Sequence, residues 1–198
     1  MTDPSPGDGP LILALGDSLT AGYGLAAQES FAAQLEQCLR MTRPAARVVN
    51  AGVSGDTSAD ALRRLPRVLA SLRQRPALAI VELGANDLMR SIAPARIRAN
   101  LEAIVEELDR CGIPALLATL EPPPMLAHFV EDYATIYAEV AARFGLSVCP
   151  FFPSGVLGHP AMVLADRLHP NAQAISLCAR AVLPHVVAAL DNSVRRAA

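Results

Sequence analysis

The chain has 198 residues, of which 52% are hydrophobic and 18% are charged. This length suits one well-buried α/β domain and is too short for two ordinary ones, and the composition argues against intrinsic disorder. The formal net charge of −2 gives no broad basic surface, so we expect no nucleic-acid partner. No run of about 20 apolar residues is evident, so we also expect no integral membrane segment.

The first ten residues contain acidic residues and prolines instead of the basic and then apolar pattern of a secretory signal. We predict a flexible N-terminal segment over 1–10, a single domain over 11–190 and a flexible tail over 191–198. The sequence as it stands favours a cytoplasmic location. A periplasmic or secreted location would follow if an export signal had been removed.

Short apolar stretches alternate along the chain with segments of helical spacing. The stretches predict five buried parallel strands, in chain order Leu11–Leu15, Arg47–Asn50, Leu78–Leu83, Ala115–Thr119 and Leu146–Pro150. The main segments between and after them predict helices over Ser30–Met41, Ser58–Leu72, Ala95–Arg110 and from Pro170 or Asn171 to about Leu190. This alternation predicts a three-layer α/β/α sandwich around a five-stranded parallel sheet.

Polar, sharply turning sequence follows three of the predicted strands and precedes the last helix. These four segments are residues 16–20, 50–57, 84–87 and 166–170. In parallel α/β sheets, active sites gather just beyond the carboxyl ends of the strands. We therefore expect the four segments to meet at one edge of the sheet.

The residue types in these segments suit acyl transfer. A serine hydroxyl, here Ser18, is a weak nucleophile until a base removes its proton. His169 can be that base, and Asp166, three residues earlier, can fix its tautomer and stabilise the imidazolium. Because an ordinary imidazole is protonated below about pH 6, we expect activity to be lost there.

The negative charge that develops on the substrate needs fixed hydrogen-bond donors. The candidates are the backbone N–H groups of Ser18 and Gly55 and the side-chain amide of Asn86. Gly55 suits this role because no Cβ blocks the approach of a substrate to its backbone. Asp17 and Asp87 are predicted to brace their loops and not to react.

Other arrangements in the sequence are weaker. Ser54 lacks the GxSxG pattern of the α/β hydrolases, and Ser154 has no companion motif. Asp166 and His169 could bind a metal, but no third ligand has suitable spacing. We therefore predict no metal site.

With these residues in place, the chain resembles the GDSL or SGNH hydrolases, most closely the bacterial arylesterase and thioesterase I/lysophospholipase branch. The matching blocks are residues 14–24, 49–57, 82–87 and 166–171, and the resemblance extends from Leu11 to about Leu190. It implies a flavodoxin-like sheet, no cofactor and a small ester as substrate. Position by position, the resemblance assigns the nucleophile to Ser18, the oxyanion hole to Gly55 and Asn86, and the rest of the triad to Asp166 and His169.

Relatives hydrolyse short-chain aryl and alkyl esters, acyl thioesters and sometimes lysophospholipids, so the resemblance implies a serine esterase. Apolar residues after Asn86 and Thr119 are candidates for substrate binding, namely Leu88, Met89, Met125 and Phe129. Such a surface would give broad specificity.

Two rival hypotheses remain open at this point. One is a carbohydrate deacetylase or a lysophospholipase on the same fold, and the other is a non-catalytic binding module. One residue departs from the family pattern: relatives commonly have glycine where this chain has Arg167. Neither the natural substrate nor the oligomeric state follows from the sequence.

Overall fold

The computed structural model describes residues 1, 9–120, 133 and 135–197, with the backbone alone described for residues 193–197. In this part of the chain, five strands form one sheet in the order β2-β1-β3-β4-β5, and every pairing is parallel. The strands are β1 (Leu11–Gly16), β2 (Arg47–Gly52), β3 (Leu78–Glu82), β4 (Ala115–Thr119) and β5 (Ser147–Pro150). The predicted five-stranded parallel sheet is confirmed.

The helices follow the strands in alternation. Those between strands are α1 (Ser18–Ala21), α2 (Phe31–Arg40), α3 (Ser58–Ser71), α4 (Ala85–Met89), α5 (Pro94–Arg110) and α6 (Ile136–Phe144), and the last is α7 (Ala172–Ala197). Short 3-10 turns cover Ala27–Glu29 and Pro160–Met162. Pro66 lies inside α3 and Pro184 inside α7.

Alternate residues of the central strands supply the two faces of the sheet. Ile12 and Ala14 of β1 belong to a core cluster with α2 and α7, whereas Leu13 and Leu15 belong to a second cluster with α3, α5 and α6. Because both faces are covered by helices, the strands are almost continuously apolar. The three-layer α/β/α sandwich is therefore confirmed.

The last helix differs from its prediction. It continues to Ala197, through the segment that was predicted as a flexible tail. The residues after Pro184 include no further proline or glycine, so nothing in the local sequence ends the helix early. Asp191 also forms an ion pair with Arg43 next to α2, which holds this part of the helix against the domain.

We expected no segment long and apolar enough to span a membrane, but one helix meets this description. By length and composition alone, Ala172–Asn192 of α7 would qualify. In the fold, however, Ile175, Val182 and Val186 are fully buried in the core cluster that packs on the sheet. A core helix of this kind is apolar for reasons of packing.

The chain leaves β1 at the point where the strand order changes direction. β1 lies between β2 and β3, so the connection after β1 goes to one side of the sheet and the later strands add on the other side. Such a switch point opens a crevice at the carboxyl ends of the strands. The residues after Gly16, Gly52 and Glu82 therefore share one edge.

Candidate active site

Ser18 is the first residue of α1, directly beyond β1. Asp17 caps this helix, since its Oδ1 accepts a hydrogen bond from the backbone N–H of Leu19 at 3.0 Å. Gly22 ends the helix with φ +83°, a conformation that favours glycine. The short turn fixes the serine at the edge of the sheet.

The three residues predicted as the triad lie in series. Ser18 Oγ is 3.1 Å from His169 Nε2, and His169 Nδ1 is 2.7 Å from Asp166 Oδ2. Because a carboxylate accepts hydrogen bonds, Nδ1 carries the ring proton in this contact and Nε2 is left to accept the serine proton. The structure thus brings together Ser18, Asp166 and His169.

The carboxylate of Asp166 is fixed by the turn in which it lies. Its Oδ1 accepts hydrogen bonds from the backbone N–H groups of Leu168 and His169, each at 3.0 Å. These bonds, together with the contact to the His169 ring, lower the pKa of Asp166 to about 2. The group therefore stays ionised at neutral pH.

Arg167 lies at the centre of this turn with φ +59°. This left-handed conformation is costly for a residue with a Cβ and favours glycine. The turn is held from both ends, because Leu164 N–H donates to the carbonyl of His169 at 2.8 Å and Val163 pairs with Pro170. A glycine at this position would adopt the same conformation at lower cost.

The predicted donor Gly55 lies in a tight turn after β2. The turn closes with a hydrogen bond from Asp56 N–H to the carbonyl of Val53 at 3.1 Å, and Gly55 has φ +85°. Val53 N–H in turn donates to the carbonyl of Gly16 at 3.0 Å. The bond that closes the turn does not use the N–H of Gly55, which belongs to the central peptide.

Asn86 is the second residue of α4 and is almost completely buried. Its Nδ2 donates to Asp17 Oδ2 at 2.9 Å. A side-chain amide has two N–H donors, so one remains for a substrate. Gly84 before it has φ +123°, and a Cβ there would lie 2.2 Å from the hydroxyl of Tyr137, which explains the glycine.

Two buried carboxyl groups lie beneath the serine. Glu82 is fully buried at the end of β3, and its Oε2 accepts from the hydroxyl of Thr20 at 2.8 Å. Burial raises the pKa of Asp17 to about 6 and raises that of Glu82 well above its usual range, with the charge of Asp17 adding to the shift at Glu82. Burial therefore favours the protonated form of Glu82.

Asp87 braces the site from the other side, as expected. Its carboxylate accepts from the backbone N–H of Ser58 at 2.8 Å and from the Ser58 hydroxyl at 2.6 Å. Asn100 of α5 donates to the same hydroxyl at 2.9 Å. These bonds join the start of α3 to α4, the helix that carries Asn86.

Tyr23 is a neighbour of the base that was not predicted from the sequence. The ring of Tyr23 packs on that of His169, with centroids 4.3 Å apart, although 50% of Tyr23 is exposed. The available signal was an aromatic residue five positions after the nucleophile, within the first matching block of residues 14–24. Its position along the chain does not reveal the contact, because His169 is distant in sequence.

The predicted substrate-binding residues are only partly described. Leu88 is half-buried, and Met89 is 60% exposed at the end of α4, the helix that carries Asn86. Met125 and Phe129 lie outside the described residues. Among the residues that the structure does describe, no group of three or more histidine, cysteine, aspartate or glutamate side chains could hold a metal ion.

Comparison with known proteins agrees with this geometry. The GDSL-like Lipase/Acylhydrolase family matches residues 14–174. Esterase TesA of Pseudomonas aeruginosa is 39% identical over 160 residues, which cover 80% of this chain and 79% of that protein. Thioesterase 1/protease 1/lysophospholipase L1 of Escherichia coli K12 is 34% identical over 164 residues, which cover 82% of this chain and 76% of that protein.

A solved structure extends the likeness to the fold. The crystal structure of AlinE4, an esterase of the SGNH-hydrolase family, superimposes with a TM-score of 0.76 at 43% identity and covers 98% of each chain. The family match spans well over half of the sequence. The chain therefore belongs to the GDSL-like lipase/acylhydrolase family, the SGNH hydrolases, and is a serine esterase.

Proposed function

We propose that the protein hydrolyses short-chain aryl and alkyl esters, and acyl thioesters as a further class, through an acyl-enzyme on Ser18. The observation that carries the proposal is the series of contacts from Ser18 Oγ to His169 Nε2 and from His169 Nδ1 to Asp166. A hydroxyl, a neutral imidazole and an ionised carboxylate in this order make a base-activated nucleophile.

In the first step, Ser18 Oγ attacks the ester carbonyl carbon while His169 Nε2 takes the hydroxyl proton. The resulting tetrahedral intermediate collapses as the C–O or C–S bond to the leaving group breaks. His169 returns the proton to the departing alcohol or thiol. The acyl group is then bound to Ser18 as an ester.

In the second step, a water molecule replaces the alcohol. His169 takes one proton from the water as its oxygen attacks the acyl carbon, and the collapse of the second intermediate returns that proton to Ser18 Oγ. The acid leaves and the enzyme is restored. Asp166 stays ionised throughout, because two backbone N–H groups hold its pKa at about 2.

We assign the oxyanion hole to the backbone N–H groups of Ser18 and Gly55 and the side-chain amide of Asn86. The first lies in the first turn of α1, where backbone N–H groups have no partner within the helix. The second is on the central peptide of the Val53–Asp56 turn, and the third keeps one amide hydrogen after bonding Asp17. Each is preorganised by contacts that do not involve substrate.

The substrate class rests on the surroundings of the triad. Tyr23, Met89 and Leu168 are large, exposed apolar side chains in the segments that carry the site. Apolar contacts discriminate weakly between acyl groups, by about 1–3 kcal/mol per methylene. This favours a broad preference for small esters. The P. aeruginosa and E. coli relatives are named as an esterase and a thioesterase, which supports both classes.

The test is hydrolysis of a panel of p-nitrophenyl esters with acyl chains of increasing length, an acyl thioester, an acetylated sugar and a lysophospholipid. We expect turnover of short aryl esters and of the thioester by the intact protein. Ser18→Ala should abolish both activities, whereas Ser154→Ala, which changes an exposed serine outside the four motif segments, should retain them.

Substantial turnover of aryl esters by Ser18→Ala would overturn the proposed nucleophile. Exclusive turnover of the acetylated sugar or of the lysophospholipid would favour one of the rival hydrolases. No turnover of any substrate would favour a non-catalytic binding module.

A further inference from the structure

We propose that two arginines, Arg64 and Arg90, are positioning residues that set the Gly55 turn against the nucleophile and against Asn86. The inference rests on the proposed function, because it concerns the oxyanion hole of that reaction. Neither arginine carries a motif signal in the sequence, where both would pass for solvated charges on helix surfaces.

Arg90 connects the turn to the helix of Asn86. Its Nη2 donates to the carbonyl of Gly55 at 2.8 Å. Its own backbone N–H donates to the carbonyl of Asn86 at 3.0 Å, one helical turn earlier. Arg90 therefore joins two of the assigned oxyanion donors through one side chain and one backbone bond.

Arg64 connects the same turn to the nucleophile. Its Nε is 2.6 Å from Asp56 Oδ2, and its Nη2 donates to the carbonyl of Gly16 at 3.0 Å. Asp56 closes the Gly55 turn, and Gly16 is the last residue of β1, two before Ser18. This guanidinium spans the gap between β1 and the turn after β2.

The turn needs such bonds because its central residue is a glycine with positive φ. Glycine explores a wide range of backbone conformations, so the turn does not hold the Gly55 N–H in one direction by itself. Val53 fixes the start of the turn through Gly16, Arg64 fixes its end through Asp56, and Arg90 fixes the carbonyl of Gly55 itself. A donor misplaced by about 1 Å costs on the order of 10²-fold in rate.

The two contacts differ from ordinary surface ion pairs, which contribute little. The Arg64–Asp56 pair is largely buried, with side-chain exposures of 20% and 12%. Arg90 is more exposed, yet its short bond is to a backbone carbonyl, and Asp60 of α3 lies 4.0 Å from its Nη1. Arg90 bonds to Gly55 itself, and Arg64 bonds to the residue after Gly55 and to the residue two before Ser18.

The experiment compares Arg90→Ala, Arg90→Lys and Arg64→Lys with the wild-type enzyme. Arg67→Ala, an exposed arginine of the same helix as Arg64, is the matched control. Arg64→Lys is chosen over alanine because alanine would leave the buried Asp56 carboxylate without its partner and could prevent folding. Thermal unfolding verifies that each variant is folded.

We expect Arg90→Ala to lower kcat about 10-fold with little change in KM, and Arg90→Lys to recover part of the loss. Arg64→Lys should also lower kcat, because an ammonium cannot reach two acceptors in fork geometry. Affinity for a boronic acid that mimics the tetrahedral intermediate should fall in parallel with kcat. Arg67→Ala should match the wild type in every measurement.

A direct contact with substrate would give a different result. If Arg90 bound the substrate, its loss would raise KM and would do so mainly for anionic esters, whereas a positioning role lowers kcat equally for neutral and anionic esters. Unchanged kcat in folded Arg90→Ala and Arg64→Lys would overturn the proposal. If kcat is unchanged in these variants but the wild-type enzyme still forms an acyl-enzyme on Ser18, the proposed function stands. If the wild-type enzyme forms no acyl-enzyme on Ser18, the proposed function itself is wrong.

Discussion

The phenol ring of Tyr23 packs against the imidazole of His169, with centroids 4.3 Å apart and ring planes tilted by 34°. The aromatic ring restricts the orientation of the imidazole and offers its face to the imidazolium that forms when the base takes a proton. Such a contact contributes about 0.5–1.5 kcal/mol. The sequence predicted the triad but not this contact between Tyr23 and His169.

We expect Tyr23→Ala to lower kcat about 2- to 10-fold, because the His169 ring loses its packing partner. Tyr23→Phe keeps the ring and should remain near the wild-type rate. Steady-state kinetics with one aryl ester measures both. Equal losses in the two variants would show that the hydroxyl, and not the ring, is responsible.

Arg167 offers a test of backbone strain. Its left-handed conformation costs about 1–2 kcal/mol relative to glycine, part of which is offset because glycine also gains freedom in the unfolded chain. Arg167→Gly should therefore raise the free energy of unfolding by up to about 1 kcal/mol. Urea denaturation measures the change. Arg167→Ala keeps the strain, so an equal gain in that variant would contradict the explanation.

The same two variants test the charge of Arg167. The side chain is an exposed cation between Asp166 and His169 in sequence, so we expect it to favour anionic esters over neutral ones. Both Arg167→Gly and Arg167→Ala should lower the ratio of kcat/KM for an anionic ester to that for a neutral ester. An unchanged ratio in both would remove this role for the charge.

The buried acids predict how stability depends on pH. Burial raises the pKa of Asp17 to about 6 and raises that of Glu82 well above its usual range, whereas both ionise near pH 4 in the unfolded chain. Between pH 4 and 6 the folded state therefore binds more protons, so stability falls as pH rises through this window. Asp166 and Asp60, whose pKa values are lowered to about 2, add stability above pH 4 that is lost only as the pH falls towards 2.

Glu82→Gln tests the contribution of Glu82 to this pH dependence. Because burial favours the protonated form of Glu82, glutamine resembles that form, and we expect activity near the wild type. The variant should lose less stability than the wild type between pH 5 and pH 8. Urea unfolding at the two pH values provides the comparison, and an unchanged pH dependence would contradict the raised pKa of Glu82.

Asp166→Asn tests the orienting carboxylate. An amide can present its N–H to Nδ1, which favours the wrong tautomer of His169 and leaves Nε2 unable to accept the serine proton. We expect kcat to fall on the order of 10³–10⁴-fold with the fold intact. A loss below about 10-fold would indicate that Asp166 is not the orienting group.

The sheet and the meeting of the motifs at one edge were predictable from sequence, for a physical reason. Strands buried on both faces must be apolar, and β1 and β3 stand out for that reason. Asp166 and His169 were predictable as a pair because they lie on one turn. The prolines inside α3 and α7 were harder, since proline usually interrupts a helix, and tertiary packing overrides that preference here.

The contacts of Tyr23, Arg64 and Arg90 were not predictable in this way. Each of these residues contacts a residue that is far away in the sequence, so no helix or strand periodicity indicates the contact. In the sequence, each of these side chains looks like an ordinary surface residue. The strained φ of Arg167 was visible only as a departure from glycine in the family pattern. Such features depend on how the loops pack against one another.

The most direct test of the central claim is reaction of the wild-type protein with a fluorophosphonate, followed by mass analysis of its peptides. The reagent labels serines that a neighbouring base activates, so we predict one adduct, on Ser18, and none in His169→Ala. An adduct on another serine, such as Ser54 or Ser154, or no adduct on folded protein that hydrolyses esters, would contradict the assignment of Ser18 as the nucleophile.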